Sequence, residues 1–379
     1  MSLNKQPGLA SFASTLVNWQ KQHGRHHLPW QGTRDPYLIW LSEIMLQQTQ
    51  VATVIGYYER FLGRFPDIQA LAEAEQDEVM PYWAGLGYYA RARNLHRCAQ
   101  ELILHWNGRF PESPEEIATL PGIGRSTAAA IAAFAYGTRS PIMDGNVKRV
   151  FTRYFGIYGV TSLRATEQLL WETAENIVQA APAKLDMAAY TQSLMDLGSG
   201  LCTRGRPDCA RCPLLANCYA YTHGVQHELP TPKPRKASPE RACKMLILHH
   251  QSDVLPEEQT ATTESTRESS HRQGSILLEQ QASPGIWGGL WSLPQFDDSF
   301  ALEAACNNWG QGKGKAQKMA GLLHVFTHFK LHIEPWYFQS NTIGVGEPGP
   351  RQAWVPIKDL PATALPAPVK KILAGLFEF

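Results

Sequence analysis

Two carboxylates and four thiols are the residues of this sequence best suited to chemistry. Glu43 lies in YLIWLSEIMLQQTQ, with Ile39, Trp40 and Leu46 at i−4, i−3 and i+3. On so apolar a stretch a glutamate either occupies a narrow solvent face, the commoner arrangement for one residue taken alone, or is desolvated with a raised pKa. Asp144 lies in SPIMDGNVKRVF, where the chain turns through Asp-Gly into a helix. By itself it reads as that helix's N-cap, in a place that favours the ionised form. One acid kept protonated and one kept charged is the pairing that glycosidic cleavage needs. The first makes the leaving group viable, and the second supports or attacks an oxocarbenium-like centre.

The thiols are Cys202, Cys209, Cys212 and Cys218 in CTRGRPDCARCPLLANC, spaced C-x6-C-x2-C-x5-C. In a reducing compartment such a set suits zinc or an iron–sulfur cluster. Zinc sites favour two knuckle-like pairs, and only Cys209 and Cys212 form one, so spacing ranks the cluster modestly ahead and leaves zinc open. Cys98, Cys243 and Cys306 are scattered and read as packing residues. A third feature is LPGIGRSTAAAIAAFAYG (120–137), a Pro-Gly-x-Gly turn ahead of an alanine-rich helix. Gly122 and Gly124 leave the backbone uncrowded, and the helix N-terminus offers free N–H groups to an anion such as a phosphodiester. Arg125, Lys148, Arg149 and Arg153 add local positive charge for phosphate contacts.

Helices must position these groups. Asp35-Pro36 and Ser113 with Glu116 are helix-start signals, the second a capping box. Residues 9 to about 222 read as a string of helices, and the helical part is assigned to 1–227. ELPTPKPRKASPE (228–240) is a Pro/basic linker. Beyond it KMLILHH, SILLEQQ and LLHVFTHFKLHIEPWYF read as strands and FALEAACNNW as a helix, giving a smaller α+β domain over 241–379. The polar segment 251–274 reads as a mobile excursion between strands, with no function assigned. The formal charge of +1 gives no nucleic-acid signal from the whole chain. There is no recognisable signal peptide and no apolar run long enough to span a membrane, so a cytoplasmic protein without membrane contact is expected.

Taken together, the hairpin, the IMDGNVKRV segment and the cysteine loop resemble the helix-hairpin-helix DNA glycosylases over roughly residues 9–222. LPWQ (28–31), SEIMLQQTQ (42–50), GLGYYARARN (85–94) and DGNVKRV (144–150) narrow this to the A/G-specific adenine DNA glycosylase (MutY) family. The resemblance implies an all-α helix-hairpin-helix domain carrying a [4Fe–4S] cluster on the four cysteines, followed by a Nudix-like domain. It implies a monomer acting on double-stranded DNA with A:8-oxoguanine or A:G mispairs, removing adenine to leave an abasic site. Glu43 would be the general acid at adenine N7, Asp144 would stabilise or trap the sugar cation, and Asn146 would support it. Arg25, Trp30 and Gln192 match pocket positions around the flipped adenine. Gln48 and Tyr88 match residues that wedge into the stack, and Gly122, Gly124, Arg125, Ser126 and Lys148 lie on the DNA-gripping part. Bifunctional relatives carry a lysine where this chain has Ser126, so no Schiff-base strand cleavage is expected. Some members carry tyrosine there, where it can assist the sugar cation; Ser126 matches the other branch of the family.

GIWGGLWSLPQF (285–296) and LLHVFTHFKLHI (322–333) carry the resemblance to the family's Nudix-like domain. DDSFALEAACNNW lacks a glutamate-rich magnesium box, so nucleotide hydrolysis is not expected. The resemblance assigns 8-oxoguanine recognition to Phe326, Thr327 and His328, although His324 and His328 read equally well as solvated strand residues. Two other readings compete. An endonuclease III-like glycosylase/lyase is opposed by Ser126 and the extra domain. A non-catalytic DNA-binding protein with a structural four-cysteine site would have no use for Glu43 and Asp144 together.

Overall fold

A computed structural model describes residues 9–234, 237–251, 274–283, 285–310, 315–340 and 348–379, and the backbone alone at Ala10 and Gly310. Of the polar segment 251–274, residues 252–273 lie outside the described residues. The helical part opens with α1 (Leu9–His23) and α2 (Pro36–Leu46), then α3 (Val51–Arg64) and α4 (Ile68–Glu73). It continues through α5 (Gln76–Trp83), α6 (Ala90–Trp106), α7 (Pro114–Ile117), α8 (Arg125–Tyr136) and α9 (Gly145–Phe155). The last of them are α10 (Arg164–Ala180), α11 (Met187–Asp196) and α12 (Tyr219–Thr222). The helix starts obey the local chemistry. Asp35 caps α2 through the Tyr37 N–H at 2.8 Å ahead of Pro36, and Ser113 accepts from Glu116 N at 3.4 Å.

The chain divides into two compact units, Met1–Ala74 with Asn94–Arg235, and Glu75–Arg93 with Lys236–Phe379. In the first, α1 packs on α10 and α11, and α8 lies between α2 and α11. Phe12, Leu16, Ala129, Phe151, Leu170 and Leu194 are core members there. The alanines that give α8 its character are all buried, because only a side chain this small lets two neighbouring helices approach it closely.

The second unit is built on a sheet of β1 (Glu240–His250), β2 (Ser275–Gln280), β3 (Trp291–Ser292), β4 (Gln295–Phe296), β5 (Gln317–Lys318), β6 (Leu322–Val325), β7 (Lys330–Ser340) and β8 (Gln352–Pro356). Its main path runs β3-β2-β1-β7-β5, with β1 and β7 parallel over Glu240↔Lys330 to His250↔Ser340. Helix α13 (Ser299–Gly310) contributes Leu302 and Cys306 to the core, beside Leu246, Leu248, Leu277 and Phe338; α14 (Ala367–Phe377) closes the chain. The long stretch expected as strand from Leu322 to Phe338 is broken by a turn at 326–329, where Phe326 N donates to Phe329 O at 2.9 Å. Among the described residues no helix is long and apolar enough to cross a membrane.

Candidate active site

Helix α2 carries Glu43 into two cavities of the first unit. It lines one of about 460 Å³ with Arg25, Trp30 and Gln192, and one of about 820 Å³ with Gln48, Ser126, Asp144 and Asn146. The solvent-face alternative for Glu43 is thereby corrected. Its flanking apolar residues turn into α2's packing, and the carboxyl faces a walled cavity. Burial, with the charge of Asp144 adding to it, pushes Glu43 up to about 8.

Asp144 caps α9, with Oδ1 accepting from Val147 N at 2.8 Å and Oδ2 from Asn146 Nδ2 at 3.3 Å. The helix terminus does not win outright. Burial raises this carboxyl above its ordinary value, against the Val147 and Asn146 N–H groups, the Arg149 charge and the Asn146 side chain, which all favour the ionised form. At Glu43 burial and the Asp144 charge push in the same direction. The two acids therefore sit in unequal environments within one cavity, which is the physical requirement for unequal protonation.

Asn146 is itself held. Arg149 Nη2 donates to Asn146 Oδ1 at 2.8 Å and to Gly198 O at 2.6 Å, while Arg149 Nε donates to Cys202 O at 2.7 Å. Gly198 belongs to a wide π-helical turn, Leu197–Leu201, after α11. Sequence reasoning missed this part of Arg149, and it missed Asp196. That carboxylate is only 5% exposed and takes Arg25 Nε and Nη2 at 2.7 Å each, Arg25 N at 3.0 Å and Gln192 Nε2 at 2.9 Å. The one legible signal was its place four residues after Gln192 on the same helix face. Trp30 is 8% exposed, sits edge-on to Tyr58 at 5.4 Å and still lines the smaller cavity, so core and pocket assignments both apply to it.

At the hairpin, Gly122 has φ +77°, and a Cβ there would fall 2.6 Å from Asn94 Cβ. Only glycine fits that turn. Gly124 is the N-cap of α8 and makes no side-chain cap hydrogen bond to its first turn. Ser126 Oγ accepts from Met143 N at 2.9 Å, tying α8 to the segment that leads into Asp144. Arg125 lies over Trp171 at 3.9 Å and pairs with Glu175 at 2.5 Å, and Lys148 pairs with Glu167 at 2.6 Å. Arg153 corrects an expectation. It is 3% exposed and donates to Leu229 O and Thr203 O at 2.9 and 2.8 Å, and to Cys202 Sγ at 3.4 Å. Its position on α9 turns it inward, toward the cysteine loop instead of toward a phosphate.

Cys202, Cys209, Cys212 and Cys218 line one small cavity of about 30 Å³ with Arg153, Leu201 and Leu215. Among the described residues no three His, Cys, Asp or Glu side chains converge tightly enough for a single metal ion. One zinc would need its thiolates about 2.3 Å from a common centre. Four sulfur donors lining one space suit a soft metal ion and an iron–sulfur group alike. Burial pushes the Cys212 thiol up to about 12, so a thiolate there requires a cationic partner.

In the second unit Tyr88 and Thr327 meet, hydroxyl to hydroxyl, at 2.7 Å. Thr327 lies at the tip of the β6–β7 turn. Phe326 stacks on Phe329 with centroids 4.5 Å apart and contacts Trp287 and His324, and Thr327 and His328 are exposed beside it. Gln48 in the first unit and Tyr88 in the second both take positive φ, 57° and 49°. Such a backbone is uncommon outside glycine and gathers at functional positions.

Residues 41–176 match the HhH-GPD superfamily base excision DNA repair proteins, and 269–375 match the NUDIX domain. The adenine DNA glycosylase of Buchnera aphidicola subsp. Baizongia pistaciae is 35% identical over 373 residues, 97% of each chain. That of Homo sapiens is 29% identical, covering 96% of this chain and 73% of its own. A solved thermostable thymine-DNA glycosylase is 30% identical and superposes with a TM-score of 0.51, over 57% of this chain and 97% of its own. With a helical base-excision-repair domain, a Nudix-like domain following it in the sequence and relatives matched nearly end to end, this chain belongs to the adenine DNA glycosylase family, enzymes of DNA repair whose partner is DNA.

Proposed function

We propose that this protein hydrolyses the N-glycosidic bond of adenine mispaired with 8-oxoguanine or guanine, leaving an abasic site without cutting the strand. The observation that carries the reading is the pair of unequal carboxyls on one cavity. At neutral pH Glu43, held near 8, keeps its proton. Adenine is a poor anionic leaving group, so transfer of that proton to N7 is the step that makes departure feasible. Asp144, with one oxygen fixed by α9 and the other by Asn146, supports the positive charge that grows on the sugar. Glu43, deprotonated by that transfer, then activates water.

A base inside a duplex must first be flipped out, and Arg25, Trp30 and Gln192 receive it while Gln48 and Tyr88 wedge into the gap. The hairpin N–H groups hold a phosphodiester and fix register without reading sequence. Ser126 accepts a hydrogen bond where an attacking amine would otherwise stand, and among the described residues no lysine lines either cavity. Phe326, Thr327 and His328 read the 8-oxoguanine. The four cysteines hold a [4Fe–4S] cluster, whose contribution is to order the loop onto which Arg149 and Arg153 are bonded. A visible absorption band with iron and sulfide analysis tests that assignment.

The decisive experiment is single-turnover cleavage of duplexes carrying one labelled adenine opposite 8-oxoguanine, G, C or T, with and without hot alkali. Release mainly opposite 8-oxoguanine and G, with breaks only after alkali, is expected. Breaks without alkali overturn the monofunctional reading, and no release from any duplex returns the chain to the DNA-binding alternative.

A further inference from the structure

Gln192 meets the smaller cavity with an amide, and an amide has two unlike ends. Its Nε2 donates and its Oε1 accepts. Which end faces the cavity decides which edge of a purine the site can recognise. Asp196 removes the choice. Its carboxylate accepts only, it is buried, and it stands one helical turn beyond Gln192 on α11 with Oδ1 2.9 Å from Nε2. Flipping the amide would set Oε1 against that carboxylate, two acceptors face to face. The orientation thus follows from hydrogen-bond chemistry and not from the electron count of two similar atoms.

Asp196 is in turn immobilised. Arg25 grips it through Nε and Nη2 on Oδ1 at 2.7 Å and through its backbone N–H on Oδ2 at 3.0 Å, and Nη2 reaches Ser199 Oγ at 3.3 Å. The cation fixes the carboxylate and the carboxylate fixes the amide. Among the described residues nothing donates to Gln192 Oε1, so that end is left to the cavity, which Gln192 lines.

We propose that Asp196 is a positioning residue that sets the specificity of this pocket, holding the Gln192 amide so that its carbonyl oxygen accepts from an exocyclic amine at the purine 6-position. A 6-oxo purine would bring a carbonyl oxygen against Oε1 and be refused. The proposal rests on the adenine reading above. A site built to take one hydrogen bond rejects a base lacking the donor, because its own buried group is then left unpaired.

The test compares single-turnover excision of adenine, hypoxanthine and unsubstituted purine, each opposite guanine, by wild type, Asp196→Asn and Gln192→Leu. Taking each variant's rate relative to wild type on the same base cancels the intrinsic ease of departure. Asparagine offers both a donor and an acceptor, so the Gln192 amide is free to turn. Asp196→Asn is expected to reduce the adenine-to-hypoxanthine preference about tenfold, with purine affected least, and Gln192→Leu to reproduce that loss with the Arg25–Asp196 pair intact. An equal fall on all three bases would mean a merely structural role and overturn the proposal. Wild-type protein gives an arm that needs no folded Asp196 variant. The Gln192 side-chain amide protons should exchange with solvent more slowly than those of exposed glutamines, and equal exchange sinks the idea. If wild type releases no adenine from any duplex, the failure belongs to the underlying reading instead.

Discussion

Glu43 has a carboxyl that ionises about 8, so protonation and not ionisation is its state through most of the neutral range. Donation requires the protonated form, so wild-type single-turnover excision should be steady near neutrality and fall as pH rises through about 8. Asp144 must be ionised to support a cation, and burial moves its ionisation up from the ordinary carboxylate value. The acid limb of the profile should therefore lie above the normal range for an aspartate. Glu43→Gln removes the proton donor and should cost on the order of 10²–10⁴ in rate, leaving whatever remains without the alkaline limb. A rate profile that kept its alkaline limb in Glu43→Gln would assign that ionisation to another group.

Between residue and fold stands the π-helical turn after α11, which puts a carbonyl and a glycine against the groups around Asp144. A Cβ on Gly198 would lie 2.5 Å from Asn146 Cβ and 3.2 Å from its Cα. Gly198→Ala must push Asn146, and with it the hydrogen bond on Asp144 Oδ2, out of place. A displacement of about 1 Å costs on the order of 10²-fold in rate, so excision should fall by that order, measured at saturating enzyme; an unchanged rate would remove Asn146 from the catalytic account. Nothing in the sequence flags this glycine, whereas Asp35, Ser113 and Gly122 could be read directly because capping and turn chemistry act between residues close in the chain. The same contrast runs through the molecule. Glu43 was ambiguous because whether a helix face is covered depends on α8, some eighty residues later. Arg153 was misread because charge alone does not reveal that its guanidinium reaches carbonyls at Cys202, Thr203 and Leu229. Asp196 was passed over because its partner Arg25 lies 171 positions away. In the second unit the long strands could be read, but two-residue strands such as β3, β4 and β5 carry too few side chains for any alternation to show, and the parallel β1–β7 pairing is a fact of topology alone.

For the molecule as a whole, a net charge of +1 means that attraction to DNA must come from particular groups and not from a global field. In the proposed function, specificity for the opposite base is likewise local. Thr327→Val keeps shape but removes the hydroxyl that now meets Tyr88; excision opposite 8-oxoguanine should fall about tenfold toward the rate opposite guanine, and an equal loss on both would place Thr327 outside base recognition. The basic side chains nearest the hairpin are already partnered, Arg125 by Glu175 and Lys148 by Glu167. The exposed Arg125–Glu175 pair is worth about 0–1 kcal/mol, so a phosphate can displace that carboxylate with little opposition, while the partly buried Lys148 is held more firmly. Each exchange still releases a counterion from the DNA, and the salt dependence of binding counts such contacts. Arg125→Ala and Lys148→Ala should each weaken binding across sequences and reduce the slope of log K against log salt by about 1. If either substitution left the slope unchanged, that side chain would be holding helices together through its carboxylate partner, and the grip on the backbone would rest on the hairpin N–H groups alone.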